Sequence, residues 1–241
     1  MGEHGAVATA SVVEEAPRAE GRSSLARIVG RRMIVWLIVD LALVGAFIAS
    51  YILISMTPLP QSSIDALISK YEQLRGLVKG LEGIPLPILI FANNAMVTLA
   101  AYIPFLGIAF FASTMYWTAR VLQLVAVVTS CTLGVSKGLV SVSYALLLLI
   151  TPHTYLEFFA YAIALYQNAR LCYLLVKRRW GEVRQEVRIY LVSIPIALGF
   201  LLLGAYVEAS LISMFTKATP AYSLPSPQKL HQVLQTCLHN A

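Results

Sequence analysis

Residues 138–176 read GLVSVSYALLLLITPHTYLEFFAYAIALYQNARLCYLLV, an apolar run interrupted by Thr151-Pro152 whose only charged side chains are Glu157 and Arg170. As a single helix at ~1.5 Å per residue the run would reach about 58 Å, nearly twice a hydrocarbon core of ~30 Å. Proline also disfavours helix at the residue before it. The run therefore predicts a half-length or re-entrant segment, 138–151, followed by a full span, 153–176. Four more apolar runs surround it: Met33–Thr57, Ile84–Ala112, Ala119–Ser136 and Ile189–Phe215. Each reaches or approaches the ~20 residues a span requires. Hydrophobic residues make up 58% of the chain and charged residues 12%, about half the charge a globular surface carries. The reading is an all-α, polytopic transmembrane helix bundle of about five spans, or six if 138–176 crosses twice. Soluble enzyme, secreted domain and disordered protein are excluded.

The net charge of +6 sits beside the apolar runs. Arg27, Arg31 and Arg32 precede the first, and Lys177, Arg178, Arg179, Arg184 and Arg188 separate the last two. This is the pattern of cytoplasmic loops facing anionic lipid, not of nucleic-acid binding. The first run is too long for the ~7–15 apolar residues of a cleaved signal, so it reads as a retained anchor with its N-terminus cytoplasmic. Trp36, Trp117 and Trp180 each lie near Arg or Lys. Taken as anchors of one inner face, they predict a rise through 33–57, a descent through 84–112 and a rise through 119–136. One net descent before Lys177 and a last rise through 189–215 would leave the C-terminal tail outside; a sixth span would put five basic residues there instead. The chain then divides into a polar cytoplasmic tail (1–32), a membrane bundle (33–216) and a C-terminal tail (217–241). An amphipathic helix over 62–81, opened by the capping-box spacing Ser62-Ser63-Ile64-Asp65, occupies the first external loop. It lies on lipid or on the bundle, or docks another protein. Cys131, Cys172 and Cys237 predict no disulfide framework, since two lie inside apolar runs. Small residues Ala42, Gly45, Ala46 and Ala49 on the first span, with Ala205 and Ala209 on the last, predict that these two spans pack closely.

Strongly polar side chains at membrane depth are costly, which makes each a functional candidate: Asp40, Asn93, Asn94, Arg120, His153, Glu157, Arg170 and Glu208. Asp40 reads as snorkelling toward Arg32, Arg120 as an interfacial anchor beside Trp117, and Arg170 as snorkelling toward Lys177. His153 and Glu157 stand at i and i+4 and share a helix face, behind a proline suited to a first turn. They fit either a hydrogen-bonded pair locking two helices or a site of binding or proton exchange. Asn93 and Asn94 offer interhelical hydrogen bonds. Glu208, with no cation near it in sequence, has to be protonated or paired with a distant group such as His153. The expectation is one buried polar cluster of His153, Glu157 and at least one of Asn93, Asn94 and Glu208. No H-E-x-x-H or P-loop pattern occurs, and the one G-x-S-x-G match, Gly134-Val135-Ser136-Lys137-Gly138, falls at the junction of two apolar runs and not on a strand-to-helix turn. No catalytic residue, metal or cofactor is therefore assigned.

The same positions carry a family resemblance. Phe91-Ala92-Asn93-Asn94 running into Pro104-Phe105-Leu106-Gly107-Ile108, then Thr151-Pro152-His153-Thr154-Tyr155-Leu156-Glu157, then Glu208 within Ala205-Tyr206-Val207-Glu208-Ala209, resemble the stage II sporulation protein M (SpoIIM, DUF95) family over about residues 30–220. Thr154 departs from the glycine usual in that family. The resemblance implies a multi-spanning protein without catalytic chemistry of its own, serving as scaffold or anchor in a membrane or envelope complex. Its partners would be the lipid bilayer and membrane or envelope proteins, a homo-oligomer among them. The polar N-terminal tail and the divergence from the family pattern suggest a relative of the archaeal kind. The rival reading from the residues is a small transporter or proton-coupled permease using His153 and Glu157, since a broken helix at midplane polar groups is a transporter feature.

Overall fold

Pro85, Pro104, Gly134 and Pro152 punctuate the apolar sequence, and the helices stop where these residues require it. The computed structural model describes residues 16–58, 64–66, 69 and 84–218. They form α1 (Ala16–Met56), α2 (Leu86–Ala101), α3 (Gly107–Leu133), α4 (Lys137–Ile150), α5 (Pro152–Val176) and α6 (Trp180–Ala218), with no strand among the described residues. The chain divides into two compact units, Met1–Val35 and Trp36–Ala241. Helical residues 16–35, which reach into the stretch read as a tail, belong to the first; everything below concerns the second. Residues 1–15, most of the amphipathic segment 62–81 and the tail beyond 218 lie outside the described residues.

The protein is all-α with a multi-pass arrangement of membrane-type helices. Ile28–Met56, Gly107–Leu133 and Trp180–Met214 are each long and apolar enough to cross a membrane, and α4 with α5 makes a fourth if the pair, bent by 72°, is one broken span. The bend falls at Thr151, which is extended (φ −85°, ψ 124°), as expected of a residue before proline, and Pro152 opens α5. At the other end of α4, Gly134 takes the left-handed conformation (φ 64°) that ends α3, and Ser136 accepts from the Leu139 amide to cap the new helix.

The expected spans 84–112 and 119–136 are corrected. The break lies at 102–106, and α3 runs unbroken through 113–118, where a loop was expected. Pro104 has no amide hydrogen and disfavours helix at Ile103, and Phe105 follows with φ 65°. Nothing between Ser113 and Thr118 breaks a helix, and one arginine in an apolar stretch does not end it. At 16 residues, α2 rises about 24 Å, short of a full hydrocarbon core.

Side-chain contacts fix the helix directions. Asn94 meets Glu157 and Asn168 meets the Ala101 carbonyl, so α2 and α5 run the same way. Phe111 packs on Tyr161 while Gly107 abuts Asn168, so α3 runs against them, as does α6, whose Ser193 meets Tyr102 and whose Glu208 meets Glu157. Thr57, at the end of α1, meets Arg120 and Gln123 of α3 and Lys137 of α4. The tryptophans therefore do not share a face. Arg120, close to Trp117, sits beside Thr57, and Trp36 lies about 30 Å back along α1 at 1.5 Å per residue.

The core runs along α5, where Phe158 to Ala164 are all buried, as suits a helix enclosed by others. Ala197, Leu201, Ala205 and Ala209 form the buried stripe of α6. The small residues of α1 do not take part. Ala42, Gly45, Ala46 and Ala49 are exposed, and nothing lies within 4 Å of where a Gly45 Cβ would stand. The buried face of α1 is instead Trp36, Asp40, Val44, Phe47 and Tyr51. Asp40 is thus enclosed, not snorkelling, and its Oδ1 has no partner among the described residues. Arg170 is corrected as well: its Nε donates to Glu186 Oε2 at 2.8 Å, a carboxylate one turn and a half into α6. Cys172 is free, and Cys237 lies outside the described residues.

Candidate functional site

Pro152 starts α5 so that His153 and Glu157 lie one above the other in its first two turns. From α2, Asn94 Nδ2 donates to Glu157 Oε1 at 2.6 Å. From α6, the Glu208 carboxyl reaches Glu157 within hydrogen-bonding range. Two carboxyl groups can bond each other only across a proton, since an ionised carboxylate has none to donate. Three helices therefore meet at Glu157. α6 comes close at Gly204, where a Cβ would stand 3.3 Å from Glu157 Cγ and 3.6 Å from the His153 carbonyl.

His153 is near enough to feel the Glu208 charge, but its buried Nδ1 has no hydrogen-bond partner among the described residues, and no bond joins it to Glu157. Asn93 stands apart. It is exposed on the outer side of α2 and touches the group only through Asn94, its Nδ2 donating to Asn94 Oδ1 at 3.2 Å. Successive residues on a helix point about 100° apart, so only one asparagine of the pair can face α5. The structure thus brings Asn94, Glu157 and Glu208 together, with His153 at the margin and Asn93 outside.

A second polar network, unforeseen from the sequence, lies farther along α5. Asn168 is fully enclosed and donates through Nδ2 to the Ala101 and Ile103 carbonyls at 2.7 and 2.8 Å. Its Oδ1 accepts from Cys172 Sγ at 3.1 Å, and that sulfur accepts from the Phe105 amide at 3.1 Å. Tyr190 Oη donates to the Tyr102 carbonyl, and Tyr102 Oη bonds Ser193 Oγ at 2.9 Å. Within the turn, the Leu106 amide donates to Pro104 O at 2.8 Å and the Gly107 amide to Ile103 O at 2.8 Å. The break between α2 and α3 is thereby supplied with partners almost group by group, as buried backbone requires. Gly107 is indispensable to it: a Cβ there would stand 2.1 Å from Ala101 O and 2.4 Å from Asn168 Nδ2. The signal was in the sequence, since Gln167-Asn168 is an amide pair at membrane depth like Asn93-Asn94.

Chemically, the first group can hold and share a proton, and both networks can join helices. Among the described residues no group of three His, Cys, Asp or Glu is placed to hold a metal ion. Comparison with protein-family models, with curated proteins and with solved structures yields no match to this chain.

Proposed function

We propose that this chain is a non-enzymatic scaffold or anchor of a membrane or envelope complex, related to the stage II sporulation protein M family. In this reading it makes five passes with its N-terminus cytoplasmic: α1 up, the short α2 down, α3 up, the bent α4–α5 pair down and α6 up. The basic residues between α5 and α6 then face the cytoplasm, which supports this orientation over a sixth pass.

The observation that carries the reading is where the core polar groups are directed. Asn94, Glu157, Glu208, Asn168, Tyr102, Tyr190 and Ser193 bond across helices, to each other or to backbone. That is what a rigid platform needs, because in lipid such bonds and close packing take over from hydrophobic burial. The resemblance at Asn93-Asn94, Pro152-His153, Glu157 and Glu208 supports the same conclusion.

One observation favours the transporter reading: the 72° bend adjoins the carboxyl pair, and a groove lined by Leu86, Pro87, Ala209 and Ser210 opens next to Glu208 along α6. Proton flux into liposomes separates the two. The scaffold reading expects the wild-type chain and His153→Ala to be equally silent, and purification from native membranes in mild detergent to yield a defined complex with stoichiometric membrane partners. Flux by the wild type that His153→Ala abolishes would replace it with the permease.

A further inference from the structure

We propose that Arg120 and Lys137, gathered at the C-terminal end of α1, form a binding site for a phosphate-type oxyanion, with the headgroup phosphate of an anionic phospholipid as its occupant. Arg120 is held rigidly by neutral groups. Its Nε donates to Tyr116 Oη at 3.1 Å, and its Nη1 to Gln123 Oε1 at 2.8 Å and Thr57 Oγ1 at 3.3 Å, with the guanidinium 5.3 Å from the Tyr116 ring centre. Gln123, fully enclosed, is itself fixed by donating Nε2 to the Thr57 carbonyl at 2.7 Å. Lys137 Nζ donates to that same carbonyl at 3.3 Å.

The two cations lie close enough to repel each other, and neither has a carboxylate within ion-pair distance among the described residues. The end of a helix offers about half a negative charge, so close to 1.5 positive charges stay uncompensated. Three of the five guanidinium N–H groups are engaged, which leaves the Nη2 edge; the ammonium keeps two of its three. The free guanidinium nitrogen and the ammonium, both drawn to Thr57 from two helices, offer donors for the oxygens of a phosphate. Both residues are only partly exposed and stand at the end of an apolar span, Ile28–Met56. An uncompensated charge at the edge of hydrocarbon is costly, and the anion most abundant at that level is lipid phosphate.

The test uses the full chain in neutral detergent, measuring thermal stabilisation and, by native mass spectrometry, bound lipid. Probes are phosphatidylglycerol, phosphatidylcholine and inorganic phosphate. Phosphatidylglycerol should stabilise the wild type and remain bound, and the double variant Arg120→Gln/Lys137→Gln should bind it about 25-fold more weakly, about fivefold per cation removed. Lys137→Gln alone, which keeps the Arg120 contacts, reports the fivefold step should the double variant not fold. Stabilisation by inorganic phosphate as strong as by the lipid would assign the site to a free oxyanion and overturn the lipid assignment. Equal binding by the wild type and Lys137→Gln, or no preference for phosphatidylglycerol over phosphatidylcholine, would overturn the site itself.

Discussion

Replacing Asn168 with aspartate changes almost nothing in shape and nearly everything in hydrogen bonding. The native amide donates to two carbonyls, Ala101 O at 2.7 Å and Ile103 O at 2.8 Å, and accepts from Cys172 at 3.1 Å, with the residue fully enclosed. A protonated carboxyl can serve only one of those carbonyls and an ionised one neither. Ile103 O keeps the Gly107 amide, but Ala101 O loses its Asn168 partner at about 1–3 kcal/mol, and an ionised group facing two carbonyl oxygens adds the desolvation of a buried charge. Asn168→Ala loses the same bonds without the repulsion. The expected order of stability is wild type, then Asn168→Ala lower by about 2–4 kcal/mol, then Asn168→Asp at or below the alanine variant. If packing were what matters, the isosteric aspartate would be the mild change and alanine the severe one.

Thermal unfolding in detergent gives the order, and maleimide labelling of Cys172 gives a local readout. Cys172 is free and partly buried, joined to Asn168 and to the Phe105 amide. Release of the 101–107 turn should speed its modification in both variants. An aspartate variant that melts with the wild type and protects Cys172 equally would refute the assignment of Asn168 as the clamp of this turn.

Two glycines should respond in opposite ways. Gly107→Ala forces a Cβ to within 2.1 Å of a backbone oxygen and should cost at least about 2 kcal/mol, whereas Gly204→Ala meets Glu157 Cγ at 3.3 Å, Leu156 Cβ at 3.4 Å and the His153 carbonyl at 3.6 Å, close to ordinary contact, and should stay within about 1 kcal/mol, both read by thermal melting. At Glu157, glutamine keeps an oxygen for Asn94 Nδ2 and should change stability by less than about 1 kcal/mol, while leucine strands both Asn94 and Glu208 and should cost about 2–4 kcal/mol. Equal melting temperatures for Glu157→Gln and Glu157→Leu would mean that the bond contributes nothing to holding α2 on α5.

The bend at Thr151 was legible because length and proline agree: the apolar run is too long for one span, and Pro152 permits one place to divide it. The break before α3 carried the same kind of signal in Pro104, but hydropathy runs on past it to Ala112, and a window that sums apolarity does not register a missing amide hydrogen. Trp117 and Arg120 misled for a related reason. An interfacial pair marks a membrane boundary without saying which one, and only the contact of Arg120 with Thr57 places it at the α1 C-terminal end. In the polar group, spacing put His153 and Glu157 on one face of α5, but it could not choose between Asn93 and Asn94. That choice depends on the rotation of α2, which no local pattern fixes. Asn168 carries no charge whose burial cost would single it out in the sequence, although its burial is more complete than that of Glu157.

The two networks on α5 follow from a single fact about α2, its length. A helix rising about 24 Å falls short of a ~30 Å core, so the pass that α2 begins is completed by the turn at 102–106, which lies within the bundle. Non-helical backbone at that depth is tolerated only where protein supplies its hydrogen bonds. Asn168, Cys172 and Tyr190 supply them, serving the carbonyls of residues 101, 102 and 103 and the amide of Phe105. The Asn168-x-x-x-Cys172 pair on α5 and the Pro104-x-x-Gly107 break between α2 and α3 are therefore two halves of one device. Neither has a reason to be there without the other. Near the middle of α2, Asn94 ties the same helix to Glu157. One tie would leave α2 free to pivot on α5, whereas two ties, seven residues apart on α2 and eleven on α5, fix its register and its rotation together.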